Sequence, residues 1–328
     1  MRPPGFWSAD PGHPAARLLA PLGRAYGALT AARMDRPGER PPCPVLCVGN
    51  FTLGGAGKTP TALALAALLT EMGLRPAFLS RGYGGRLAGP VAVDPARHGA
   101  AEVGDEPLLL ARLAPTIVAR NRPAGARACL AAGADFIVMD DGLQNPSLAK
   151  DLALAVVDAG AGIGNGLPFP AGPLRAPLDR QWRHVGGLVL VGAGAAGEPL
   201  AREAERRGLP VHRATLATPG DGFAGRRVYA FAGIGRPGKF FDSLCAAGAE
   251  IAGRRAFPDH HPYEAADLAA LEETARRLGA DLVTTEKDAV RLPPDVRARV
   301  RTLPVSLRLA DPAPLRRQLA GLVGARRA

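Results

Sequence analysis

The chain has 328 residues, enough for two domains that each bury a core, which excludes a peptide or a single small module. Hydrophobic residues make up 47% and charged residues 22%, and the 41 glycines and 32 prolines fall in turns between apolar runs, so the chain is a folded α/β protein and not a disordered one. Lys and Arg exceed Asp and Glu to give a net charge of +11, which asks for an anionic partner without choosing among nucleotide, nucleic acid and membrane.

In chain order, residues 15–33 come first, with Leu18, Leu19, Leu22, Tyr26 and Leu29 at helical spacing and Arg17, Arg24 and Arg33 elsewhere, just after Phe6 and Trp7. Two readings stand: an amphipathic helix lying on a membrane surface, or a helix packed on its own domain with a basic face in solvent. Pro21 predicts a break or kink inside it. No run approaches the ~18–20 apolar residues that span a bilayer, and the start lacks a secretory pattern. Of Cys43, Cys47, Cys129 and Cys245, none has metal or redox-pair spacing, so reduced, buried thiols in the cytosol are expected.

Val45 to Val48 reads as a short buried strand, followed by a Gly-rich loop and a helix from about Lys58 to Met72. Further strands are expected at Ala77 to Leu79, Thr116 to Ala119, Phe136 to Met139, Leu152 to Val157 and Leu188 to Val191, alternating with helical patterns. Such alternation predicts a mostly parallel sheet covered by helices. A second series follows Arg227: strand Val228 to Ala232, helix Pro237 to Ala247, strand Glu250 to Ala256, helix Glu264 to Leu278, and strands Asp281 to Thr285 and Thr302 to Leu307. Pro219, Gly220, Asp221 and Gly222 interrupt the pattern, giving expected domains of 1–222 and 223–328.

Thr52-Leu53-Gly54-Gly55-Ala56-Gly57-Lys58-Thr59 lies between a strand and a helix, where backbone N–H groups converge on phosphate oxygens. Lys58 would neutralise the β- and γ-phosphates, and Thr59 would ligate Mg²⁺. The strict pattern starts with Gly, where Thr52 stands here. Phe136 to Asp141 is an apolar strand ending in two carboxylates, Asp140 and Asp141, suited to Mg²⁺ and also readable as a turn. Asp105, in Gly104-Asp105-Glu106-Pro107, reads equally as a helix N-cap or a catalytic acid. His260 and His261 sit in Phe257-Pro258-Asp259-His260-His261-Pro262-Tyr263, with no further ligands to make a metal site. The GxGxxG at Gly233 to Gly238 is weak alone.

These segments also occur together and in order: Gly49-Asn50-Phe51 with the phosphate loop, Ser80-Arg81-Gly82-Tyr83-Gly84-Gly85, Gly104 to Pro107, Asp140-Asp141-Gly142-Leu143-Gln144, Pro170 to Arg175, Phe231 to Gly235, Phe257 to Tyr263 and Thr284 to Val290. The set resembles the tetraacyldisaccharide 4'-kinase family, the lipid A 4'-kinases of Gram-negative bacteria, across nearly the whole chain. The resemblance implies a P-loop NTPase-like kinase of two α/β/α domains, the second smaller, with a nucleotide cleft between them and a membrane-associating N-terminus. It implies MgATP as donor, an acylated glucosamine disaccharide 1-phosphate as acceptor, and the 1,4'-bisphosphate lipid IVA as product. The implied location is peripheral, on the cytoplasmic face of the inner membrane, with no nucleic acid or protein partner.

By the same resemblance Asp105 is the candidate base for the sugar 4'-hydroxyl, assisted by a histidine of the DHH stretch, with His261 preferred to His260. Asp140 and Asp141 are the Mg²⁺ and charge-organising pair, and Arg81, Arg175 and His260 are candidates for substrate or nucleotide contacts. Two positions depart from the family pattern: Asn145 stands where His is usual, and Ala176 where Glu is usual. A membrane-associated, partner-regulated ATPase switch is the alternative, but its extra loop lysine would fall at Leu53. A nicotinamide oxidoreductase using the 233–238 glycines would leave the phosphate loop unexplained.

Overall fold

The computed structural model describes residues 4–218 and 222–327. The strands, in chain order, are β1 (Val45–Gly49), β2 (Pro76–Ser80), β3 (Val91–Ala92), β4 (Thr116–Val118), β5 (Phe136–Asp140), β6 (Leu152–Asp158), β7 (Gly187–Val191), β8 (Val211–Ala217), β9 (Arg227–Ala232), β10 (Glu250–Ala256), β11 (Asp281–Thr285), β12 (Arg301–Leu303) and β13 (Ser306–Leu309). They build a nine-stranded sheet, β13-β8-β7-β6-β1-β5-β2-β4-β3, and a four-stranded sheet, β10-β9-β11-β12. All pairings are parallel except those of the edge strands, β13 with β8 and β3 with β4.

The central strands β1, β2, β5, β6 and β7 are buried along their whole length, because helices cover both faces. Alternate residues therefore feed two cores. Val45, Cys47, Ile137 and Met139 join one, while Leu46, Val48, Phe136 and Val138 join the other with Leu65 and Leu69 of helix Lys58–Glu71. The smaller sheet repeats this: Val228, Ala230 and Val283 pack on helix Pro237–Ala246, and Tyr229 and Phe231 on helix Ala265–Leu278.

β1 is followed in sequence by β2 but flanked in space by β5 and β6. Such a reversal of strand order opens a crevice at the carboxyl ends of the strands, where open α/β sheets bind ligands. The Gly-rich loop and the two aspartates both leave the sheet there.

The expected domain division needs correcting at its far end. The chain changes sheets between β8 and β9, around the expected boundary, although Pro219, Gly220 and Asp221 lie outside the described residues. The single strand expected from Thr302 to Leu307 is two strands in different sheets. Pro304 separates them, and β13 pairs with β8 while helix Ala313–Arg327 buries Leu315 and Leu319 in the larger sheet's core with Leu65 and Leu69. The smaller unit is thus an insertion, β9 to β12, and the larger one is completed by the chain's end.

Helix Pro14–Met34 runs through Pro21 as one element, so the expected break is absent. Pro21 is exposed, where losing one backbone donor costs least. The helix packs by its small residues: Ala16, Gly23, Gly27 and Ala31 are buried. A Cβ on Gly23 would come within 2.7 Å of the Pro168 carbonyl oxygen, so only glycine permits this approach. Leu18, Leu22 and Leu29 consequently point outward, 80%, 62% and 63% exposed, and packing those leucines on the helix's own domain is ruled out. Among the described residues no helix is long and apolar enough to cross a membrane. Cys43, Cys47 and Cys129 are buried, with burial pushing their thiols up to about 11, 11 and 12, whereas Cys245, expected to be buried, is exposed.

Candidate active site

The loop after β1 meets helix Lys58–Glu71 through Gly57, whose left-handed φ of 91° a side chain would resist. Space is open where a Cβ would sit on Gly54 or Gly55, so these glycines leave a cradle rather than fill a packing gap. Lys58, at the helix start, turns back over the loop: its Nζ donates to Asn50 Oδ1 at 3.3 Å and the Gly54 carbonyl at 3.4 Å, and lies 3.7 Å from Asp141 Oδ2. Thr52 carries a β-bridge to Leu174, and the Leu53 N–H donates to the Pro173 carbonyl. Thr59 opens the helix beside Lys58.

Asp140 ends β5, 2% exposed, and its Oδ1 has no hydrogen-bond partner. Burial, then the charges of Glu106 and Asp141, push its carboxyl up to about 8. A buried carboxylate short of positive charge, beside a glycine cradle, fits a divalent cation. Asp141 differs although it is adjacent. Burial opposes its charge, but Lys58 and Arg175 outweigh burial and hold it at about 2. Arg175 grips it with two bonds, Nη1 to Oδ1 at 2.6 Å and Nη2 to Oδ2 at 2.9 Å. The same guanidinium donates to the Thr52 carbonyl and Gln144 Oε1. Arg175, expected on a substrate or nucleotide phosphate, is therefore committed to Asp141 and to the loop.

Behind this lies a polar net that the residue-by-residue reading missed. Gln144 Nε2 donates to the Asn50 carbonyl and Gln181 Oε1, and Gln181 Nε2 to the Phe51 and Ala176 carbonyls. Asn50 and Gln181 are fully buried, so each unmade bond would cost about 1–3 kcal/mol. Of the two departures, Asn145 caps its own turn by accepting from Ser147, and Ala176 is buried against Gln181.

Asp105 is the first residue of helix Asp105–Leu110, and Gly104, not Asp105, is its N-cap. Asp105 Oδ1 accepts only from the next residue, Glu106 N–H, at 2.9 Å. The N-cap reading therefore fails, and Asp105, 3% exposed, turns its Oδ2 to the smaller unit, 3.0 Å from His260 Nδ1. Burial opposes its charge, yet the His260 hydrogen bond and the charges of Lys287 and Arg291 prevail and hold it below the usual carboxylate range. His261, the histidine expected to assist, instead sets Nε2 2.8 Å from Asp267 Oδ2 and stacks on Phe257. His260 has a left-handed φ of 57°, which sends the two neighbouring rings to different partners. Asp141 and His260 are the non-glycine residues with positive φ among the described residues, and both belong to this site.

Arg81 is exposed on the loop after β2, and among the described residues no carboxylate pairs with it. Gly233 N–H donates to buried Asp288, and Arg236 reaches Asp158 at the end of β6 at 2.8 Å, joined there by Lys239. Gly233 and Gly235 thus face protein, against Asp288 and Asp259. A further link across the units joins Lys287 Nζ to Glu106 Oε1 at 3.2 Å.

A glycine cradle with its lysine, strand-end carboxylates and a buried aspartate held against an opposing domain define a P-loop phosphotransferase. The sequence model of the family described as tetraacyldisaccharide-1-P 4'-kinase matches residues 15–324, and the chain belongs to that family. A tetraacyldisaccharide 4'-kinase from Methylorubrum extorquens strain PA1 is 73% identical over 98% of both chains, and one from Rhodopseudomonas palustris strain BisB5 is 54% identical over 97% of this chain and 96% of its own. Among solved structures, LpxK from Aquifex aeolicus in complex with ATP superposes with a TM-score of 0.74 at 26% identity, covering 94% of this chain and 99% of that one.

Proposed function

We infer that the chain is an ATP-dependent kinase that transfers the γ-phosphate to the 4'-hydroxyl of tetraacyldisaccharide 1-phosphate, forming lipid IVA in lipid A biosynthesis. Family membership across the chain carries the activity. The contact between Asp105 and His260 carries the assignment of roles.

In this reading, loop N–H groups and Lys58 hold the β- and γ-phosphates of ATP. Thr59 and Asp140 would hold Mg²⁺ with the nucleotide's own oxygens, and the ion supplies charge neutralisation on the phosphates. Asp141, clamped by Arg175, keeps Lys58 placed over the loop and adds charge beside the ion's site. Asp105 accepts the 4'-hydroxyl proton as the sugar oxygen bonds to the γ-phosphorus, and the bond from that phosphorus to the bridging oxygen breaks to release ADP. A carboxylate held ionised suits this role, since positioning and charge stabilisation dominate phosphoryl transfer and the proton moves late. His260 orients Asp105 by the contact it makes from the smaller unit, so the site is complete only when the units meet. That unit, β9 to β12, closes the nucleotide and substrate cleft, and Arg81 is available to a substrate phosphate.

Peripheral attachment to the cytoplasmic face of the inner membrane is part of this reading, and the outward side of helix Pro14–Met34 supports attachment to a lipid surface. Three outward leucines, each worth about 1.5–3 kcal/mol on full burial, stand beside arginines that suit anionic headgroups. Incubating the purified protein with γ-labelled ATP, Mg²⁺ and the acylated disaccharide 1-phosphate tests the activity: label enters the lipid, and a protein that only hydrolyses ATP refutes it.

A further inference from the structure

The Thr284 to Val290 segment is not assigned a role in the scheme above, although it lies against the candidate base. Lys287 is carried by the short helix Glu286–Ala289 and placed with its Nζ 3.4 Å from His260 Nε2, 3.2 Å from Glu106 Oε1 and 4.0 Å from Asp105 Oδ2. Its helix is anchored by Asp288, fully buried, whose carboxylate accepts from Gly233 N–H, Tyr263 O–H, Thr285 O–H and Arg291. The ammonium is therefore held by a rigid base.

We propose that Lys287 is a positioning residue that fixes His260 as the neutral tautomer protonated on Nδ1, so that the ring donates to an ionised Asp105. This inference rests on reading Asp105 as the base. An ammonium has donors and no acceptor, so a ring nitrogen facing it offers a lone pair. With Nε2 accepting from Lys287, the proton of the neutral ring sits on Nδ1, 3.0 Å from Asp105 Oδ2. The rival partner for Nε2 is Asp259 Oδ1, which would take a proton from it, but it lies at 3.8 Å, beyond hydrogen-bond reach. A doubly protonated ring would point an N–H at the ammonium.

The other charged and titratable groups around the ring are of both signs. Glu106 and Asp105 face it from helix Asp105–Leu110, Arg291 Nε lies 3.6 Å from Asp105 Oδ2, and Arg112 is drawn off to Glu286 at 3.7 Å. Tyr83 meets the ring edge-on at 5.5 Å. Burial works against the Lys287 charge, but Glu106, Asp105 and Asp259 prevail and hold its pKa above the ordinary value, so it remains a donor at neutral pH.

The test is nitrogen NMR of histidine-labelled full-length protein at neutral pH without substrate, the His260 signals identified by their loss in His260→Gln. The expected spectrum has His260 protonated on Nδ1 and bare on Nε2. In Lys287→Met the ring gains the Nε2-protonated or cationic form, the acidic limb of kcat moves to higher pH, kcat falls at least about tenfold, and the KM for ATP stays within about twofold. Lys287→Arg, which also only donates, restores the tautomer and most of the rate. A wild-type ring protonated on Nε2 overturns the proposal, whether or not the variant folds. So does a Lys287→Met protein whose tautomer and acidic limb are unmoved. Because the spectrum is taken without turnover, it stands apart from the role of Asp105, which the rate of Asp105→Asn tests alone.

Discussion

Asp105 Oδ2 and His260 Nδ1 lie 3.0 Å apart, joining residues separated by 155 positions and carried by different units, one at the start of a helix and the other in the loop after β10. Truncating His260 to Ala leaves a carboxylate that is 3% exposed without its side-chain hydrogen-bond partner. Its pKa, now below the usual range, then rises, and the acidic limb of the rate profile moves up in pH with it. We expect kcat to fall by about 10²–10⁴-fold in His260→Ala and to change little in His261→Ala, whose ring is committed to Asp267. Steady-state kinetics and thermal melts of both variants check this, and equal losses in the two would remove the distinction.

Lys58→Ala removes the ammonium where charge develops on the transferring group, so kcat falls by about 10²-fold or more. The Gly54 carbonyl keeps the Asn50 Nδ2 donor, while the buried Asn50 Oδ1 is left unmet at a cost of about 1–3 kcal/mol, which lowers the melting temperature without abolishing the fold. Labelled-phosphate transfer beside a circular-dichroism melt checks the pair of claims. Near-normal turnover would remove the phosphate loop from the mechanism.

Arg175→Lys keeps the charge and loses the fork that grips both oxygens of Asp141, a change of about 1.5–3 kcal/mol for a charge-assisted bond. Turnover should drop about 10–100-fold by the loosened geometry. The stability cost has a defined pH sign. Asp141 has its carboxyl at about 2 in the folded chain, against ~3.9 unfolded, so its contribution is complete above pH ~4 and is lost as pH falls through 2. The variant's deficit in melting temperature should be full at neutral pH and shrink towards pH 2, and a deficit independent of pH would assign Arg175 a packing role only.

Local signals made the larger sheet legible. Apolar runs such as Phe136 to Met139 mark strands buried on both faces, and the glycine loop between a strand and a helix marks its own position. β8 was passed over because its seven residues alternate between buried His212 and Ala214 and exposed Arg213 and Thr215 within an otherwise polar stretch. The return of β13 was hidden because Pro304 is a single residue, and nothing local says that the strands on either side of it join different sheets. In the site, Lys58, Asp140 and Asp141 were readable from their place after a strand. The choice of His260 over His261 was not, since it depends on a backbone turn at φ 57° and on Asp105 arriving from far along the chain. Lys287 and Arg291 were missed for the same reason, although their segment was recognised.

The outward leucines of helix Pro14–Met34 separate attachment to a membrane from folding. Leu18 and Leu22 are 80% and 62% exposed, and the residues that hold the helix to the body are Ala16, Gly23, Gly27 and Ala31 on its other side. Replacing Leu18 and Leu22 with Glu therefore costs little folding free energy, within about 0.5 kcal/mol per surface site, because neither charge enters the core. On a bilayer the same change removes two apolar anchors and sets two anions against anionic headgroups, so binding weakens and the apparent KM for micellar lipid rises, while the KM for ATP holds. Gly23→Leu supplies the converse: a Cβ there already meets the Pro168 carbonyl at 2.7 Å, so that variant loses melting temperature before it loses lipid affinity. Liposome flotation beside thermal melts of the two proteins decides the matter. A Leu18/Leu22 double variant that melts early yet floats as wild type would overturn the membrane assignment.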